Sequence, residues 1–217
     1  MLHWETVSPL LKEILLKLMN VELLKDHRLV GGTALSLHLG HRMSVDIDLF
    51  ISGETYGAFN YEKLESYLNE TFPFVSGDFG SPPAFGKSYL IGNSNNDVVK
   101  VDIFYASDPF FDDALIIDDI RLGSLQQITA MKLDIVRRVG RKKDFWDLHE
   151  LLNFYSIEDM LSFHAKGFQW NHERDLILKN LINFHEADED FEPICLLGKE
   201  WAFVKEDLVE AIKSRNS

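Results

Sequence analysis

Apolar and polar positions alternate strictly over residues 44–51, where Val45, Ile47, Leu49 and Ile51 fall on one face and Asp46 and Asp48 on the other. That is the signature of a half-buried strand. Residues 98–105 repeat it, with Val99, Val101 and Ile103 opposite Lys100, Asp102 and Phe104. Residues 27–30, 87–91 and 120–122 read as shorter strands, and 92–97 as a polar turn. Helical periodicity begins after Ser8 and Pro9, an N-cap followed by proline at the first helical position, and runs to about residue 24. Thr33 is expected to cap a short helix over 34–39, and residues 56–72 form another. Residues 73–86, rich in Gly, Pro and Ser, read as loop, and 112–119 as an acidic loop or edge. From Ser124 onward the pattern is helical only, over 125–139, 144–155, 157–166, 173–184 and 199–214. The fold class is therefore α+β, with a core domain over 1–122 and a helical domain over 123–217.

Composition narrows the picture. The chain has 217 residues, 46% of them hydrophobic, enough for a sizeable core. A net charge of -13 lowers the expectation of a general nucleic-acid binder but leaves room for a local basic patch. Cys195 is the single cysteine, which excludes an internal disulfide and any Cys-based metal framework. The first turns carry Glu5, Lys12, Glu13 and Lys17, which suits an amphipathic helix and not a signal peptide. No run approaches about 18 apolar residues, so no membrane partner is expected and the chain reads as soluble and cytoplasmic.

The two alternating segments carry the candidate chemistry. Asp46 and Asp48 are neighbours on one strand face, where two carboxylates repel unless water or cations relieve them. Hard oxygen ligands at this spacing suit Mg²⁺, which usually takes one or two carboxylates plus substrate phosphates. Asp102 on the second strand would complete a two-ion site. Strands with one wet face show the same pattern, so the carboxylates alone leave both readings open. Gly31-Gly32-Thr33 lies between a strand and a helix, where bare backbone N–H groups can cradle phosphate; it is equally an ordinary turn. Lys132 sits mid-stripe among Leu125, Ile128, Ile135, Val136 and Val139. It either snorkels to solvent or reaches a buried anion, a carboxylate or a triphosphate. Arg137, Arg138, Arg141, Lys142 and Lys143 form a basic run, a solvated helix end or a patch for nucleotide or RNA phosphate. Asp144 reads as an N-cap, which leaves Asp147 unexplained.

Together these segments resemble the AbiEii/AbiGii-type nucleotidyltransferases of the DNA polymerase β superfamily. LVGGTALSLHLGHRMSVDIDLF is similar to that family's first motif, matched at Gly31, Gly32, Thr33, Ala34, Leu35, Arg42, Ser44, Asp46, Asp48 and Phe50. ITAMKLDIVRRVGRKKDFWDLHEL is similar to its second, with Lys132, Arg138, Lys143, Asp144, Asp147 and Leu148 in place, and Lys143 standing where arginine is usual. The resemblance covers roughly residues 27–152. It implies a minimal nucleotidyltransferase fold, a mixed sheet with flanking helices, and a C-terminal helical domain. It also implies transfer of a nucleoside monophosphate from a nucleoside triphosphate to a hydroxyl, on tRNA or other RNA in some toxin members. Asp46, Asp48 and Asp102 would hold two Mg²⁺ ions, and Gly31, Gly32, Thr33, Arg42 and Ser44 the nucleotide. Lys132 would neutralise developing charge, with Asp144 and Asp147 orienting it or meeting the nucleotide. A cognate antitoxin is an implied partner. Transfer to a small molecule and a non-catalytic nucleotide-binding module remain as alternatives.

Overall fold

The structure, a computed structural model, describes residues 1–77, 79–80 and 82–214. Its strands are β1 (Arg28–Val30), β2 (Asp46–Ile51), β3 (Phe74–Gly77), β4 (Gly86–Ser94), β5 (Asp97–Tyr105), β6 (Leu115–Ile117) and β7 (Ile120–Leu122). Its helices are α1 (Pro9–Asn20), α2 (Gly31–Leu39), α3 (Tyr61–Thr71), α4 (Leu125–Val139), α5 (Lys142–Leu151), α6 (Ile157–Gly167), α7 (Arg174–Asn180), α8 (His185–Asp188) and α9 (Trp201–Ser214).

The strands form one mixed sheet in the order β3-β4-β5-β2-β1-β7-β6. The central strand β2 runs parallel to β5 and antiparallel to β1. Its alternation does what the pattern predicts: Ile47, Leu49 and Ile51 are buried, as are Val101 and Ile103 on β5. This apolar face meets α1, whose Leu11, Ile14, Leu15 and Leu18 are buried. Each such side chain contributes on the order of 1.5–3 kcal/mol by leaving water. Val45 is the exception. It precedes the strand and is exposed. The opposite face of β2 carries the carboxylates, and α2 and α4 pack beside it. Most buried apolar residues form one cluster with members from Leu2 to Ile212, and Ala130, Phe163 and Phe168 form a second, smaller one.

Cap chemistry set the boundaries that came out as expected. Ser8 Oγ accepts the Leu11 N–H at 3.1 Å with Pro9 at the first helical position. Ser124 Oγ accepts the Gln127 N–H at 3.0 Å and opens α4 where the pattern placed it. Other boundaries moved. The stretch 73–86 contains β3, which pairs antiparallel with β4; positions 78 and 81 lie outside the described residues. The acidic stretch 112–119 contains β6, paired with β7. α3 starts only at Tyr61, because Asn60 caps it through Lys63 N–H and Gly57 turns the chain at φ +80°. α5 starts two residues early and stops at Leu151, and the helix expected over 173–184 is the shorter α7. The end of the expected helical domain, 215–217, lies outside the described residues. Among the described residues no helix is long and apolar enough to cross a membrane.

Candidate active site

Strand register builds the site. β2 and β5 align Asp46 with Lys100 and Asp48 with Asp102, so all three carboxylates share the face opposite Ile47 and Leu49. β4 places Ser88 across from Asp102, and Ser88 Oγ donates to its carboxylate at 2.6 Å. Lys100 also pairs with Asp102, and Lys143 Nζ approaches Asp46 at 3.8 Å. The three carboxylates, Lys100 and Lys143 line a cavity of about 190 Å³ together with Gly31, Gly32 and Lys132.

The cavity gathers three carboxylates and four cations, Lys100, Lys132, Arg141 and Lys143. Burial pushes Asp48 up to about 6, and Asp102 and Asp46 push in the same direction. Lys132 and Lys100 pull it down without prevailing. A carboxylate held in this state favours either a proton or a cation. Among the described residues no group of three or more His, Cys, Asp or Glu is gathered into a ready metal cage. Three hard oxygen donors on one open face fit the smaller share that Mg²⁺ takes from a protein, the rest coming from substrate phosphates and water.

The two glycines are there because of close approach. Gly31 sits at φ +71°, and a Cβ on it would collide with the Asp48 carboxylate. A Cβ on Gly32 would lie 2.5 Å from Arg42 Nη2. The opening turn of α2, which has unpaired N–H groups by construction, therefore lies directly against the carboxylates. Thr33 does not cap α2: the helix starts at Gly31 with Val30 as its N-cap. The buried Thr33 hydroxyl meets Ser44 Oγ at 2.8 Å and donates to the Asp46 carbonyl, tying α2 to β2. The Thr33 and Ser44 hydroxyls are thus engaged with each other.

Lys132 does not snorkel. It is 3% exposed, with Nζ 2.7 Å from Asp144 and 2.6 Å from Asp147. Asp147 also receives Arg42 Nε at 2.7 Å and Nη2 at 2.9 Å, and its Oδ1 lies 2.8 Å from His41 Nε2. Burial alone would raise Asp147, but Arg42 and Lys132 outweigh it and hold it well below the usual carboxylate range. Burial would lower Lys132, but Asp147 and Asp144 reverse that and raise it, so the amine stays charged. Asp144 is no N-cap; it sits one turn into α5, and its carboxylate accepts the Arg141 N–H at 3.1 Å.

The basic run is divided. Arg137 pairs with Asp134 and Glu173, and Lys142 is buried beside Trp201. Arg141 and Lys143 line the carboxylate cavity, with the Arg141 side chain 59% exposed. Arg138 pairs with Asp134, and its side chain is 64% exposed.

His41 and Ser88 went unnoticed in the sequence. Ser88 shows its role only once β4 and β5 are in register. His41 had a signal, its place beside the motif arginine, but nothing that marked it as buried.

Comparison with known proteins gives the family and the fold. Residues 13–215 match the family described as nucleotidyl transferase AbiEii toxin, type IV TA system. The chain is 27% identical over 192 residues to an uncharacterized protein of Aquifex aeolicus (strain VF5), covering 84% of this chain and 87% of that one. Its fold is similar to that of JHP933 from Helicobacter pylori, with a TM-score of 0.57 and 16% identity over 93% of this chain and 89% of that one. It is also similar to that of MenT4, a nucleotidyltransferase toxin from Mycobacterium tuberculosis H37Rv, with a TM-score of 0.57 and 14% identity over 91% and 80% of the two chains. The match over nearly the whole chain makes it a member of the AbiEii nucleotidyl transferase toxin family of type IV toxin–antitoxin systems.

Proposed function

We propose that this chain transfers a nucleoside monophosphate from a nucleoside triphosphate to a hydroxyl at the end of an RNA, tRNA being the leading candidate. One observation carries the reading: Asp46, Asp48 and Asp102 face one cavity in strand register, against the glycine turn and beside a buried, charged lysine. The acceptor hydroxyl attacks the α-phosphorus, a new phosphodiester bond forms, and the bond to the β-phosphate breaks to release pyrophosphate. Asp46, Asp48 and Asp102 would hold Mg²⁺, which when bound neutralises the triphosphate and acidifies the attacking hydroxyl. Asp102, oriented by Ser88, would take the hydroxyl proton. The N–H groups of Gly31 and Gly32 would bind phosphate oxygens. Lys132, held charged by Asp144 and Asp147, would set the positive potential behind the transferring phosphoryl group. Arg42 would hold the glycine turn in place through its contact with Gly32.

The acceptor assignment rests on Arg138 and Arg141, exposed cations near the cavity in a chain of net charge -13. Lys143 adds charge at the cavity wall. Membership of a toxin–antitoxin family points to a cognate antitoxin as the protein partner.

The test is incubation with each labelled nucleoside triphosphate, Mg²⁺ and total RNA, followed by denaturing electrophoresis. Wild type is expected to label a discrete RNA species and Asp48→Asn to label none. Labelling by the variant equal to wild type, or no RNA labelled by either, overturns the reading.

A further inference from the structure

A second cavity, of about 250 Å³, adjoins the carboxylate cavity and shares Phe50, Met131 and Ile135 with it. Its walls are mainly apolar, completed by Phe110 and Phe168. Phe50 stacks on Phe104, its register partner, with ring centroids 5.9 Å apart, so this wall is a fixed aromatic surface. One polar group inside lacks a full set of partners. Gln127 is 4% exposed and lines the cavity. Its Oε1 accepts the Phe111 N–H at 3.3 Å, while its amide nitrogen has no acceptor among the described residues. A buried amide left with free donors is costly unless a ligand or water satisfies it.

Arg141 and Lys143 line the carboxylate cavity, while Phe50 leads into the mainly apolar one, where Arg138 is paired with Asp134 and Asp108 also lines the wall. A triphosphate belongs at the cationic end, and an uncharged flat group at the other. The cavity is smaller than sites that enclose a whole drug-sized ligand, about 300–1000 Å³, so it takes a fragment and not an entire nucleotide. We infer that this cavity receives the nucleobase of the nucleoside triphosphate, and that the Gln127 amide donates to an acceptor on the base edge and so sets base preference. The inference rests on the proposed function and adds to it the direction in which the nucleotide lies.

The test measures binding of each nucleoside triphosphate and of inorganic tripolyphosphate by calorimetry with Mg²⁺ present. Wild type is expected to bind its preferred nucleotide about tenfold or more tighter than tripolyphosphate. Ala106→Phe, which fills the cavity from the end of β5, should remove that advantage and leave tripolyphosphate affinity unchanged. Gln127→Met keeps the volume and deletes the donors; it should flatten the preference among the four nucleotides by about tenfold, and it carries the test alone where Ala106→Phe fails to fold. Unchanged nucleotide affinity in folded Ala106→Phe, or unchanged preference in Gln127→Met, overturns the base site while the carboxylate site stands. Absence of tripolyphosphate and nucleotide binding in wild type overturns the underlying function and the base site with it.

Discussion

Two groups of carboxylates lie near Lys132, and they are shifted in opposite directions. Among Asp46, Asp48 and Asp102, Asp48 is pushed up to about 6, by burial first and then by its two acidic neighbours, and Lys132 and Lys100 do not reverse this. Asp144 and Asp147 are fully buried, yet Lys132 holds Asp144 below the usual range, and Arg42 with Lys132 holds Asp147 well below it. The residue type is the same; the neighbours decide. In the proposed function the first group takes a cation, while the second already has its counter-charges in Lys132 and Arg42. Lys132 touches the second group and is felt by the first, so it couples the two.

The comparison breaks most visibly at Asp147. Asp147→Asn leaves Arg42 and Lys132 buried without their shared counter-charge and is expected to cost about 3–5 kcal/mol, read as a lower urea midpoint. A loss under about 1 kcal/mol would show that the cluster is not scaffold. Lys132→Met, which an exposed lysine would tolerate, should cost about 3 kcal/mol because it takes from the buried Asp144 its close cation and leaves Asp147 with Arg42 as its remaining cation. Unchanged thermal stability of that variant would return the lysine to a surface role.

Asp48→Asn should have the opposite sign. Asp48's folded-state value lies above its unfolded value near 3.9, so the folded state holds the proton more tightly. Its contribution is therefore fully present below about pH 4 and is lost as the pH rises through about 6. Wild type and variant should be equally stable near pH 4. Above pH 6 the variant should gain on the order of 1–3 kcal/mol, while losing Mg²⁺-dependent nucleotide binding. A stability difference that stays flat across pH 4–7 would contradict the raised Asp48 value. The same proton competes with the cation, so wild-type affinity for Mg²⁺-nucleotide should fall below about pH 6 in titration calorimetry. The smallest effect is expected for Ser88→Ala, about 0.5–1.5 kcal/mol from one lost hydrogen bond to Asp102, seen in urea melts.

Local signals were legible in the sequence where physics is local. The alternation around Asp46 and Asp48 fixed the face they occupy, and Ser124 fixed the start of α4. What could not be read was pairing. The 3.6-residue stripe marked Lys132 as anomalous but could not say which anion it meets, because Asp144 and Asp147 reach it from another helix. Thr33 looked like a cap because helix starts favour it, yet tertiary contact with Ser44 and the Asp46 carbonyl took its hydroxyl elsewhere. The basic run looked uniform along the chain and is divided in space, since α5 turns Lys142 inward while leaving Arg141 outward.

The segment around Cys195 pairs with the chain at Arg42, through Met43 N–H to the Ile194 carbonyl and Leu196 N–H to the His41 carbonyl. Synthesis is vectorial, and this late stretch is made after every catalytic candidate. A growing chain thus acquires its carboxylates by residue 102 and its buried lysine partners by residue 147, while the backbone carrying His41 and Arg42 still awaits its clamp. That order places the clamp on the backbone of His41 and Arg42 after the carboxylates and the partners of the buried lysine.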